Sequence, residues 1–133
     1  MSTGTQRNAL EILLGMEPPK ARTARVKLLQ LSETAGEDVY FDIRALGYDR
    51  VREIQRMESG AEGNFQAAVI LAGVTQPNLS DPELLEKYGA PTPYEVLPKF
   101  LSAGEIEELC RRIELLSGYR QNVTQLVKDI KKK

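Results

Sequence analysis

At 133 residues, 41% hydrophobic and 28% charged, the chain has the size and composition of a single globular domain able to bury a core of its own. Its net charge of −1 sets up no global field towards nucleic acid or an anionic membrane, and its one cysteine, Cys110, rules out an internal disulfide and suits a reducing compartment. With no histidine, Ser–His and Cys–His catalysis and His-containing metal sites are excluded; a lone cysteine cannot build a structural zinc site, and no GxGxxG or GxxxxGK(S/T) phosphate loop occurs.

In chain order, Leu10, Leu13 and Leu14 stand at i, i+3, i+4 and predict a helix from Thr5 to Leu14, with Gly15 as its left-handed stop and Pro18-Pro19 preventing resumption. Lys20 to Lys27 (KARTARVK) is a local basic patch. It reads either as a phosphate or acidic-partner contact or as a solvated lead into a strand, and the lack of interleaved aromatic residues favours the strand lead. Arg25–Leu31 and Val39–Ala45 read as the two strands of a hairpin. The second alternates Val39, Phe41, Ile43 and Ala45 with polar neighbours, and the polar connector holds Gly36 for a positive φ.

Gly47 introduces a helix with Tyr48, Val51 and Ile54 on one face and Met57 near it, with Asp49 in the first turn. A glycine-containing loop follows at Glu58–Asn64. Phe65–Val74, apolar apart from Gln66, fits a strand or a core helix. Its length and alanine content lean to helix, and Pro77 ends it either way.

Three helix starts then follow in succession. Ser80-Asp81-Pro82-Glu83 reads as a capping box led by the Ser80 hydroxyl, with the helix ending at Gly89. Thr92-Pro93-Tyr94-Glu95 repeats the device, and Pro98 is expected to keep that helix short. Ser102-Ala103-Gly104-Glu105 opens the longest helix, which runs to Gly118 with an apolar stripe of Ile106, Leu109, Cys110, Ile113 and Leu116. Glu107–Arg111 and Glu108–Arg112 are favourable i,i+4 pairs. The Glu105, Glu107, Glu108 cluster reads as first-turn acid on a solvated face in preference to a metal site, and Cys110 as a packed thiol in preference to a nucleophile.

Val123, Leu126, Val127 and Ile130 predict a terminal amphipathic helix, with Lys128 and Lys131, Lys132, Lys133 at its C-terminal end. This helix either packs on the core or docks in a partner's groove, and its residues are the candidates for partner binding. The expected fold is α+β, predominantly α: an N-terminal helix and a β-hairpin packed against a bundle of about five short helices. It forms one domain over 1–133, with the hairpin region at about 20–46 and the helical region at about 47–131. The longest apolar run, Ala67–Val74, falls far short of the roughly 20 residues of a membrane span. The N-terminal stretch lacks the parts of a secretory signal, so a cytoplasmic location is expected.

The order of these pieces resembles the XkdN-like family of phage tail assembly chaperones, found in tailed phages and prophages of Gram-positive bacteria. The similar stretches are KLLQL at Lys27–Leu31, FDIRALGYDRVREI at Phe41–Ile54, VTQPNLSDPELLEKYGAPTPYEVL at Val74–Leu97 and SAGEIEELCRRIELLSGY at Ser102–Tyr119. The resemblance implies a non-enzymatic protein without cofactors that binds the tape measure protein, keeps that long helical chain soluble and helps recruit tail tube protein. It implies action in the host cytoplasm and absence from the mature virion. In many such phages a programmed frameshift gives a longer product; the consecutive lysines of DIKKK read either as the trace of a slippery A-rich run or as an ordinary solubilising basic tail. Self-association stays open. Two alternatives come from other classes: a small nucleic-acid-binding regulator resting on Lys20–Lys27 and the lysine tail, and a structural connector retained in the tail.

Overall fold

The computed structural model describes residues 7–58, 65–119 and 121–127. Within them lie seven helices and a three-stranded antiparallel sheet of order β1-β2-β3, so the fold is α+β and predominantly α. The strands are β1 (Thr23–Lys27), β2 (Tyr40–Arg44) and β3 (Val74–Gln76). Ala24 pairs with Ile43 and Val26 with Phe41, which sets the alternate side chains of β1 and β2 on one face. Phe41 and Ile43 are buried there at 2% and 1% exposure, as the period-two pattern requires.

The hairpin differs from its expected form. β1 ends at Lys27, and Leu29–Ala35 form helix α2 inside the connector in place of a strand running to Leu31. The helix closes on itself and on β2. Leu28 N–H donates to the Val39 carbonyl at 3.0 Å, Val39 N–H donates to the Ser32 hydroxyl at 2.8 Å, and Gly36 takes φ 79° to end the helix. The third strand, β3, was not expected. Val74 belongs to it and pairs with Ile43, with a register shift between Asp42 and Ile43.

Helix α3 (Tyr48–Glu58) buries Ile54 and half-buries Val51, but Tyr48 stays 67% exposed. The side chain of Met57 and most of the loop expected at 58–64 lie outside the described residues. Phe65–Gly73 form helix α4, so the ambiguous apolar run resolves as a helix up to Gly73. α4 buries Ala68, Val69, Ile70, Ala72 and Gly73 and packs against α3, α6 and α7, the position of a helix apolar on all sides. Its approach to α7 is close: a Cβ on Gly73 would meet Ile113 Cδ1 at 2.7 Å, so only glycine fits.

Helix α5 (Pro82–Lys87) is capped by Asp81, not Ser80: Glu83 N–H donates to Asp81 Oδ1 at 2.8 Å. Asn78 sets this up, because its side chain accepts from Ser80 N–H and spends that residue in a turn. Helix α6 (Pro93–Phe100) starts at Thr92 as expected but carries Pro98 inside it. The exposed Pro98 forgoes one intrahelical bond, and the helix still closes through Leu101 N–H to the Leu97 carbonyl at 2.9 Å.

Helix α7 (Ala103–Leu116) has the full reciprocal box. Glu105 N–H donates to the Ser102 hydroxyl, and Ser102 N–H donates to Glu105 Oε1. Glu105 does more: its Oε2 accepts from Leu31 N–H at 2.9 Å. Leu28, the N-cap of α2, offers no side-chain acceptor, so the carboxylate of α7 caps α2 as well. At the other end of α7, the Ser117 hydroxyl accepts from Leu46 N–H and donates to the Ile113 carbonyl, tying the helix to the β2–α3 turn.

Candidate protein-interaction surfaces

Helix α1 (Ala9–Gly15) begins at Asn8, whose Oδ1 accepts from Glu11 N–H at 2.8 Å. Gly15 is its last helical residue, and Met16 follows in an extended conformation. The expected packing of this helix does not occur, because none of its residues is buried. Leu10, Leu13 and Leu14 remain 64%, 64% and 77% exposed, and Ile12 on the far side of the helix and Met16 beyond its end are exposed as well. The three leucines form an exposed apolar ridge, a candidate interaction surface. The exposed connector to β1 contains Pro18-Pro19, which stiffens it.

A second feature is an apolar groove of about 520 Å³ where α2 and β2 face α5 and the end of α6. Leu31, Phe41, Leu79, Leu84, Tyr88 and Phe100 line it. The rings of Tyr88 and Phe100 lie 5.4 Å apart between centroids. Asp81, Glu83 and Lys87 stand on its rim, with Lys87 Nζ 5.9 Å from the Tyr88 ring. A concave, mostly apolar surface with a few polar groups at its edge suits an amphipathic helix.

The third is the segment after α7. Gln121 Nε2 donates to the Leu115 carbonyl, which holds the start of the segment against the last turn of α7. Residues 121–127 are irregular and exposed, so the amphipathic helix expected there is not formed over Val123, Leu126 and Val127. These three are 66%, 91% and 83% exposed. A helix of so few residues does not hold in water without a surface to cover its apolar face. Ile130, Lys131, Lys132 and Lys133, the other expected partner-binding residues, lie outside the described residues.

Two of the four cations of the basic patch, Arg25 and Lys27, are engaged within the fold. Arg25 Nε lies 2.7 Å from Asp42 Oδ1 across the β1–β2 pair, and Lys27 Nζ lies 3.0 Å from Asp38 Oδ1. Hydrogen bonds to these carboxylates raise both cationic pKa values, and the bond from Arg25 holds the Asp42 carboxyl below the usual carboxylate range. On α7, Glu108 pairs with Arg112 at 3.4 Å and Cys110 is buried. Among the described residues no group of three or more His, Cys, Asp or Glu could hold a metal ion, and no helix is long and apolar enough to cross a membrane.

The fold has a solved counterpart. It matches the crystal structure of the protein YqbN, a structural genomics target, with a TM-score of 0.66 and 21% sequence identity over 86% of this chain and 99% of that one. No curated protein matches the chain. The sequence family described as phage XkdN-like tail assembly chaperone proteins matches residues 10–131, a span that takes in the sheet, helices α2 to α7 and most of α1. The chain therefore belongs to the XkdN-like family of phage tail assembly chaperones.

Proposed function

We propose that the chain performs the family's task by covering the apolar faces of the tape measure protein until tail tube protein replaces it, and that it helps bring tube subunits to that chain. It does so by binding alone, without catalysis, in the host cytoplasm, and it leaves before the virion is complete. The observation that carries this reading is the display of large apolar side chains at the edges of a fold that has an intact core. Val123, Leu126 and Val127 are exposed beside α7, while Ile113 of the same helix is fully buried. An extended helical client with exposed apolar stripes needs reversible cover of that kind. Lys131, Lys132 and Lys133 follow in sequence and add charge contacts to an acidic client face.

Co-expression with the tape measure protein of the same phage tests the proposal. The client is expected to become soluble and to co-purify with the chain, and mass spectrometry of purified particles is expected to find the client but not the chain. A client that stays insoluble and unbound contradicts the chaperone role, and a stoichiometric signal in particles favours a retained connector. Within the basic patch, the nucleic-acid alternative would rest on Lys20 and Arg22, since Arg25 and Lys27 are paired with Asp42 and Asp38.

A further inference from the structure

Helix α2 is held by its ends more than by packing. It buries only Ser32, whereas α7 buries Leu109, Cys110 and Ile113. Hollows lie on two sides of it. Leu31 lines the apolar groove of about 520 Å³, and Leu29 and Gln30 line a second hollow of about 540 Å³ against Gly104, Glu108 and Leu109 of α7. A segment with so few buried apolar contacts opens more readily than the core beside it. Its fastenings are polar. Leu28 supplies no side-chain cap, Leu31 N–H donates to the Glu105 carboxylate at 2.9 Å, and the Ser32 hydroxyl accepts from Val39 N–H at 2.8 Å. The hairpin does not need α2 to stay paired. β1 and β2 pair from Thr23–Arg44 to Lys27–Tyr40, and the bond from Leu28 N–H to the Val39 carbonyl closes the ladder beyond them. Residues 29–38 are therefore a loop with both ends pinned together, able to leave the core without unpairing a strand.

We infer that α2 is a lid and Glu105 its latch: α2 swings out on hinges at Leu28 and Val39 while the sheet and α7 stay folded. In the open state the two hollows become one cleft bordered by Phe41 and Leu109, each 2% exposed while the lid is closed. The latch sits on the firmer side of the joint. Glu105 is fixed by its reciprocal bonds with Ser102 at the start of α7, so its second carboxylate oxygen stays in place to receive Leu31 N–H again. A lid of this kind withholds apolar surface until it is released, and binding segments are drawn from the less stable parts of a fold for that reason. The lid stands independently of whether the client is the tape measure protein, because lid and latch both belong to this chain.

Amide hydrogen exchange of the full chain under native conditions tests the inference. In the wild type, the N–H groups of Leu31, Ser32, Gly36 and Val39 are expected to exchange together, faster than those of Leu109 and Cys110, and at a rate that low urea leaves unchanged because a local opening exposes little surface. Ile113→Ala is expected to speed exchange at Leu109 and Cys110 about 30-fold or more while leaving the α2 group unchanged. Glu105→Ala is expected to speed the α2 group about tenfold. An α2 group that exchanges as slowly as Leu109 and follows the same urea slope overturns the inference. So does an Ile113→Ala variant in which α2 speeds up as much as α7, and so does a Glu105→Ala variant in which the α2 rates do not change.

Discussion

Helices α7 and α1 are built by the same local rules and end in opposite environments. Each starts at a polar side chain that accepts from the backbone three residues on, and each carries leucine or isoleucine at helical spacing. Ile113 of α7 is fully buried, while Leu14 of α1 is 77% exposed. The difference lies in what arrives from elsewhere in the chain. α4 presents Gly73 to Ile113, β2 presents Ile43 to the same core, and Ser117 anchors the end of α7 to Leu46. Nothing in the described chain covers α1. An amphipathic pattern designates a face to be covered; long-range contacts decide whether the cover is the same molecule or another.

The contrast can be broken first at the core. Ile113→Ala removes a fully buried side chain from the α4–α7 contact and is expected to cost about 2–5 kcal/mol, read as a fall in the urea midpoint at constant slope. An effect as small as that of an exposed leucine would mean that the α7 face is no better packed than α1. A smaller loss is expected at the joint between helices. Glu105→Ala leaves Ser102 N–H and Leu31 N–H without their carboxylate, and about 1–3 kcal/mol should be lost in the same assay. Glu105→Gln, which keeps an acceptor oxygen, should recover part of that loss.

The smallest effect sharpens the peripheral side of the comparison. Asp42 has a lowered pKa in the folded state because Arg25 donates a hydrogen bond to it and faces it with a positive charge. The sign follows: the pair stabilises the fold above the ordinary carboxylate pKa, and that contribution is lost as pH falls through the lowered value. Asp42→Asn should therefore lie slightly below wild type in thermal midpoint at neutral pH and converge with it in acid, and added salt should narrow the gap. A gap that widens in acid would contradict the pairing.

Much of this architecture is legible in the sequence because its signals are local. The Ser102–Glu105 box, the Thr92 cap with Pro93 and the alternation through Phe41 and Ile43 each act within a few residues. What is not legible depends on distant partners. Leu28–Leu31 suits a strand or a helix on its own. The helix is favoured by Glu105, 74 residues away from Leu31, and by Ser32 closing onto Val39. β3 has only three residues and gains its identity from pairing with β2. The choice of Asp81 over Ser80 as a cap follows from the turn at Asn78. The periodicity at Val123, Leu126 and Val127 is real, but among the described residues nothing covers that face and 121–127 are irregular. The groove could not be read at all, since its walls come from α2, β2, α5 and α6, brought together only by folding.

The claim at the centre of this account is that the outlying apolar residues serve partners and not the fold. Capture of the tape measure protein by Val123→Ser/Leu126→Ser/Val127→Ser tests it most directly, provided the unfolding midpoint is measured on the same sample. The account predicts stability within about 0.5 kcal/mol of wild type, as for exposed positions, together with loss of client co-purification. A variant that is destabilised by several kcal/mol, or one that is stable and still captures the client, would contradict it.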